Sequence, residues 1–183
     1  MPYTKINLKQ IIFDPEVQTY CNNPKFKCPN YGHSHACPPE APYLEEEVSR
    51  FRDFYLVYYK FDLEEYIKKI KKKFPKRSKE KILRLFYRKN ILRDHLEEEI
   101  YKVMNKYQEK YKEKLILWDG FCRICYKESK NCTYDSGEPC RYQPRYSMEA
   151  VGINVDETVK NANFEMEWPP LHFAYRFGLV CLK

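Results

Sequence analysis

The chain has 183 residues, enough for one hydrophobic core of useful size and few for two. With 32% charged residues, a mean hydropathy of -0.77 and no apolar run near the ~20 residues of a spanning helix, a membrane helix is excluded. A 43% hydrophobic fraction that includes 17 Tyr and 11 Phe excludes global disorder, and the absence of G-x-x-x-x-G-K-[ST] and G-x-G-x-x-G excludes the usual phosphate loops.

The chain opens Met-Pro-Tyr-Thr-Lys-Ile-Asn-Leu-Lys-Gln, without the apolar stretch or small-residue cleavage site of a secretory leader, so a cytoplasmic location is expected. Residues 1–45 carry Cys21, Cys28 and Cys37 among Pro24, Pro29, Pro38, Pro39 and Pro42, a composition that predicts loop. Residues 46–60 read as a helix and then a strand, the aromatic and β-branched run 54–59. Residues 60–114 hold neither cysteine nor glycine. In them Leu63, Tyr66, Ile67 and Ile70 recur at helical spacing until Pro75. A second stripe runs Ile82, Leu85, Phe86, Leu92, Leu96, Ile100, Val103, Met104, Tyr107 and Tyr111, with Ser78 placed to cap it and a break expected near Asn90. In 115–183 the run 115–118 predicts a strand ending at the turn signal Asp119-Gly120, and 171–176 with 179–182 supply one or two more. The expected fold is a single α+β domain over 1–183. It combines a small, mostly antiparallel sheet with packed helices, a long basic helical block and cysteine-rich metal-binding loops at both ends.

Charge is localised. Residues 60–114 carry a net +9 and the remainder -2, together the +7 of the whole chain. Residues 66–93 alone hold 13 basic side chains and one acid, Glu80. Such a block is a footprint for an acidic protein partner, redox or enzyme, or for nucleic acid, and its plain alternative is a solvated helix face. Absence of RRM, KH, zinc-knuckle and helix-turn-helix signatures disfavours nucleic acid. The stripe 82–111 predicts that Lys79, Arg84, Arg88 and Arg93 face outward, apart from the metal site.

The cysteines carry the chemistry. Cys122, Cys125, Cys132 and Cys140 follow C-x2-C-x6-C-x7-C, four thiolates in a 19-residue window that suit one zinc or one cubane iron-sulfur cluster. A zinc ribbon uses two C-x2-C knuckles, whereas this run has one, and Pro144 follows Cys140 as proline follows the last ligand in ferredoxin-type loops, so iron-sulfur is favoured over Zn2+. Cys21, Cys28 and Cys37 form a second set in which Cys28 and Cys37 precede proline, a bias toward extended backbone that suits a loop wrapped on a cofactor. Three ligands leave a site one short. The candidates for a fourth are Cys181, His33, His35, a small molecule or a partner's thiol, with Cys181 reading first as a core residue and the histidines first as solvated loop. The N-terminal loop is expected to fold back onto 115–145. In a reducing compartment such clusters bind metal more often than they pair, a hyperthermophilic source being the exception.

Three features together resemble a family of predicted metal-binding proteins, domain of unknown function 2284. They are the early cysteines ending in Cys37-Pro38-Pro39, the knuckle Cys122/Cys125, and the run Cys140-Arg-Tyr-Gln-Pro-Arg-Tyr-Ser-Met-Glu-Ala-Val-Gly-Ile-Asn-Val. In that run Ser147 is placed to cap a short helix opening at Met148. The resemblance implies an iron-sulfur-like centre. The block 60–114 carries no motif of the family and reads as a candidate insertion.

The leading expectation is one or two [4Fe-4S] clusters serving electron transfer, or redox activation of a partner, in anaerobic metabolism. The alternatives are an enzyme or cofactor-activating factor with an open iron on the three-cysteine set, and a structural zinc protein binding nucleic acid through its basic helices.

Overall fold

Strand β4 (Asp53–Asp62) and strand β6 (Phe173–Leu182) pair antiparallel along their whole length, from Asp53 opposite Leu182 to Asp62 opposite Phe173. Around this hairpin-like centre β1 (Tyr3–Ile6) and β5 (Lys114–Leu117) form the edges of a four-stranded antiparallel sheet of order β1-β4-β6-β5. The structure, a computed structural model, describes residues 2–24, 26–87, 91–167 and 169–183. Two short strands, β2 (Asn22–Asn23) and β3 (Phe26–Lys27), pair separately within the cysteine-bearing N-terminal segment. Among the described residues six α-helices complete the α+β architecture: α1 (Glu45–Ser49), α2 (Leu63–Lys73), α3 (Lys79–Tyr87), α4 (Ile91–Tyr107), α5 (Ile124–Lys127) and α6 (Val155–Asn161).

The two-residue period of the central strands sorts their side chains onto two buried faces. Phe54, Leu56, Phe177, Leu179 and Cys181 face one way and are covered by Val48, Met148, Val151, Ile153 and Val159. Tyr55, Val57, Val180 and Leu182 face the other way, onto Leu96, Ile100, Val103 and Met104 of α4. Burial on both sides explains why these strands read as continuous apolar runs. It also makes α4, within the block 60–114, one wall of the core. A smaller cluster of Leu63, Ile67, Ile82, Phe86, Leu92 and Ala174 packs α2 and α3 against the far end of β6.

Local signals set the helix ends. Asp62 accepts from Glu65 N at 2.7 Å and Pro75 follows the end of α2, while Ser78 accepts from Lys81 N at 3.3 Å ahead of α3. The long stripe is divided between α3 and α4, and the expected break near Asn90 lies outside the described residues, as does Arg88. Tyr111, at the end of the stripe, lies past α4 and donates to Asp53 Oδ2 at 2.7 Å.

One difference from the sequence reading has a physical cause. Residues 1–45 are not loop throughout: β1 pairs with β4, its short edge position leaving only a four-residue pattern with Thr4 and Lys5 in it. Of the one or two C-terminal strands expected, the structure has a single one, β6, because Gly178 continues the ladder opposite Val57. A Cβ there would stand 2.8 Å from Ile100 Cδ1 and 2.9 Å from the Leu117 carbonyl oxygen, so glycine is what lets α4 close on the sheet. Gly178→Ala is accordingly expected to lose roughly 1–3 kcal/mol by overpacking, read as a lower midpoint in chemical denaturation. An unchanged midpoint would show that α4 packs less closely than this.

No helix among the described residues is long and apolar enough to cross a membrane.

Candidate metal centre

The second cysteine set sits on an excursion whose base is closed by backbone hydrogen bonds. Trp118 N donates to Tyr146 O at 2.7 Å and Met148 N to Trp118 O at 3.3 Å, so the chain leaves the end of β5 and returns beside it. At the exit Gly120 takes φ +64° beneath the guanidinium of Arg93, which leaves no room for a Cβ. Arg93 Nε meets Asp119 Oδ2 at 3.0 Å, its guanidinium lies 4.8 Å from the centre of the Phe121 ring, and Asp119 also faces Arg176 at 3.4 Å. Cys122 then precedes α5, Cys125 lies within it and has its carbonyl bonded by Lys130 N at 2.9 Å, and Cys132 precedes a 3-10 turn at Tyr134–Ser136. On the return, Ser147 Oγ accepts from Ala150 N at 3.1 Å and caps the expected short helix, here a 3-10 turn at Glu149–Val151.

A buried cation holds the excursion to α4. Arg123, only 6% exposed, contacts Asp94 at 2.9 Å and makes a shorter ion pair with Glu97. Glu97 also receives Lys127 at 2.6 Å and Arg145 at 3.4 Å. Burial works to raise the Glu97 carboxyl, and the hydrogen bonds from Lys127 and Arg123 overcome it, so the group lies below the ordinary carboxylate value. The basic block therefore does not stand apart from the cysteine region. Arg93 is a part-buried contact at the base of the excursion, not an outward charge, and the acids of α4 anchor the loop. Lys79 and Arg84 do face solvent.

The N-terminal set is ordered by its own backbone. Asp14 caps a 3-10 turn at Pro15–Thr19, Cys28 N donates to Cys21 O at 2.8 Å, and Gly32 N donates to Pro38 O at 2.9 Å, drawing the Cys28 turn toward Cys37. Burial, and then the neighbouring Cys28 thiol, raise the Cys21 thiol. Burial pushes the Cys37 thiol up to about 11 against a hydrogen bond from Ser34 that lowers it, with Cys28, Cys21 and Cys122 adding to the rise. Cys181 is fully buried among the core side chains of β6, as its apolar surroundings predict. All eight cysteines are free thiols.

The two segments meet through the histidines. His33 Nδ1 lies 2.9 Å from Asp135 Oδ1, and His35 Nε2 lies 3.0 Å from the Glu138 carbonyl oxygen, with its ring edge-on to Tyr134 at 5.3 Å. A carbonyl can only accept, so the proton of a neutral His35 sits on Nε2. These contacts fold the N-terminal loop onto the excursion, as expected; His33 is the exposed loop residue its sequence suggests, and His35 is half-buried. Cys122, Cys125, Cys132 and Cys140 line a shared cavity of about 790 Å³ with His33 and His35. Soft thiol and borderline imidazole donors match iron-sulfur or zinc chemistry and not that of calcium or magnesium. The thiols are spread around the wall: among the described residues no group of three or more Cys, His, Asp or Glu side chains is gathered to hold a metal ion.

A cysteine-rich α+β protein with two thiol-bearing segments folded together is what these features define. The family model for predicted metal-binding proteins, domain of unknown function 2284, matches residues 4–182, and the chain belongs to that family. No curated protein and no solved structure matches the chain.

Proposed function

We propose that the chain is an iron-sulfur protein, with Cys122, Cys125, Cys132 and Cys140 as ligands of one [4Fe-4S] centre. Cys21, Cys28 and Cys37 would hold a second centre or share in the first. The observation that supports this reading is the cavity that all four cysteines of the excursion line, together with His33 and His35 of the N-terminal loop. Sulfur-rich donors, one knuckle and Pro144 after Cys140 favour a cluster over a single zinc ion. A bound cluster supplies a one-electron couple. The chain's own residues do the rest: Arg123 and Arg93 fix the excursion, His33 and His35 tie the N-terminal loop to it, and the backbones of Trp118 and Met148 close its base.

Electron transfer is the role such a centre performs with least additional machinery, in the cytoplasm and in anaerobic metabolism. Electron paramagnetic resonance after reduction with dithionite tests it. A reversible paramagnetic signal, lost on reoxidation and regained on a second reduction, supports the reading, and a silent spectrum from metal-loaded protein opposes it. A second reading is an enzyme or a cofactor-activating factor that takes a small molecule in this cavity, whose volume of about 790 Å³ lies within the range of small-molecule sites. A colourless, zinc-loaded protein would support the structural alternative.

A further inference from the structure

The structure thins the basic block to a narrower surface. Lys68 and Lys69 are paired with Glu64 and Glu65 at 2.7 Å each, Arg93 is committed to Asp119, and the Arg77 guanidinium lies 3.7 Å from the centre of the Phe74 ring. Lys71, Lys72, Lys73, Lys76, Lys79, Lys81 and Arg84 remain, all exposed, and none forms an ion pair among the described residues. They surround the turn between α2 and α3, where Phe74 is 44% exposed.

Local helix energetics account for only part of this charge. Lys71, Lys72 and Lys73 occupy the last turn of α2, where cations complement the helix dipole. Lys79 and Lys81 occupy the first turn of α3, the positive end of its dipole, where a cation opposes helix formation and only Glu80 offsets it. Cations kept where the helix disfavours them point to a use outside the helix.

We propose that the α2–α3 turn is the docking surface for an acidic protein partner, with Phe74 as its apolar anchor and the seven free cations as its rim. An aromatic side chain ringed by exposed charge has the anatomy of a protein interface, whose centre is aromatic and whose rim holds the lysines. Six of the seven cations are Lys, point charges that attract a carboxylate-rich surface at long range and lack the planar fork of a guanidinium. One aromatic ring with a guanidinium over one face is not the row of stacking platforms that single strands require. An interfacial membrane helix needs a free apolar face, and that of α2 is spent in the core through Leu63 and Ile67. The proposal does not depend on which metal the cysteines hold.

An acidic ferredoxin serves as the probe, with association followed by stopped flow at about 0.01 M salt, where the Debye length is about 30 Å. The double variant Lys79→Glu/Lys81→Glu places acids at a helix N-terminus, so it folds at least as well as the parent chain. It is expected to slow association by roughly tenfold or more at low salt and to leave metal content unchanged. Phe74→Ala is expected to speed dissociation several-fold while keeping the salt dependence. Unchanged kinetics in Lys79→Glu/Lys81→Glu would overturn the proposal. So would displacement of the ferredoxin by an equal concentration of duplex DNA near physiological salt, or stronger binding to phosphatidylglycerol vesicles than to the ferredoxin.

Discussion

Cys125→Ser is expected to lose most of the protein's metal and, with it, a substantial part of its thermal stability. Cys125 lies within α5 and its carbonyl is bonded by Lys130 N at 2.9 Å, so the serine variant keeps the backbone and removes only the sulfur donor. A metal present at a thousandfold its dissociation constant adds about 4 kcal/mol to the folded state. For a chain of this size that corresponds to a fall of roughly 10 °C in the unfolding midpoint. Iron and sulfide analysis beside a thermal melt checks both parts. Metal content equal to the parent chain would remove Cys125 from the ligand set. The same substitution in Cys181, buried in β6, would lower stability through its polar hydroxyl and leave metal content unchanged.

The second large effect is expected at a residue that binds no metal. Arg123→Met keeps the stem of the side chain and leaves Glu97 and Asp94 without their buried partner. Removing one member of a buried pair costs about 3–5 kcal/mol when nothing replaces it. Lys127 and Arg145 still face Glu97, so a loss of about 2–3 kcal/mol is expected. The pH dependence has a definite sign. The folded Glu97 carboxyl lies below its unfolded value, so its contribution is complete above the unfolded value of about 4.3 and is lost as pH falls through the folded one. The gap between the parent chain and Arg123→Met should therefore narrow on acidification below about pH 4, since protonated Glu97 has less need of a cation. A gap constant from pH 7 to pH 3 would show that the deficit comes from lost packing.

The legibility of this chain in its sequence followed the range of the interactions involved. Signals contained in one element were readable. The apolar runs gave β4 and β5, the helical stripes gave α2, α3 and α4, Ser78 and Ser147 were recognisable as caps, and the surroundings of Cys181 marked it as core. What depended on a distant partner was not. β1 is a strand because β4 offers it an edge, and Gly178 continues β6 because Ile100 needs the space of a side chain. Arg93 belonged to a run of cations and so read as solvated, whereas Asp119 and the ring of Phe121 hold it at the base of the cysteine excursion. One signal for that anchoring was present. Asp94 and Glu97 are three apart, Arg123 and Lys127 four apart, and opposite charges at helical spacing on two elements are what a helix-to-helix clasp requires. The contacts of His33 and His35 left no such trace, because each joins residues about a hundred positions apart.

The central claim is that these thiols hold an iron-sulfur cluster. It is tested most directly by assaying iron, acid-labile sulfide and zinc on the parent chain purified without oxygen, beside its visible absorption. A brown protein with about four iron and four sulfide atoms per centre is the predicted result. A colourless protein that carries zinc, or that carries no metal at all, would contradict it.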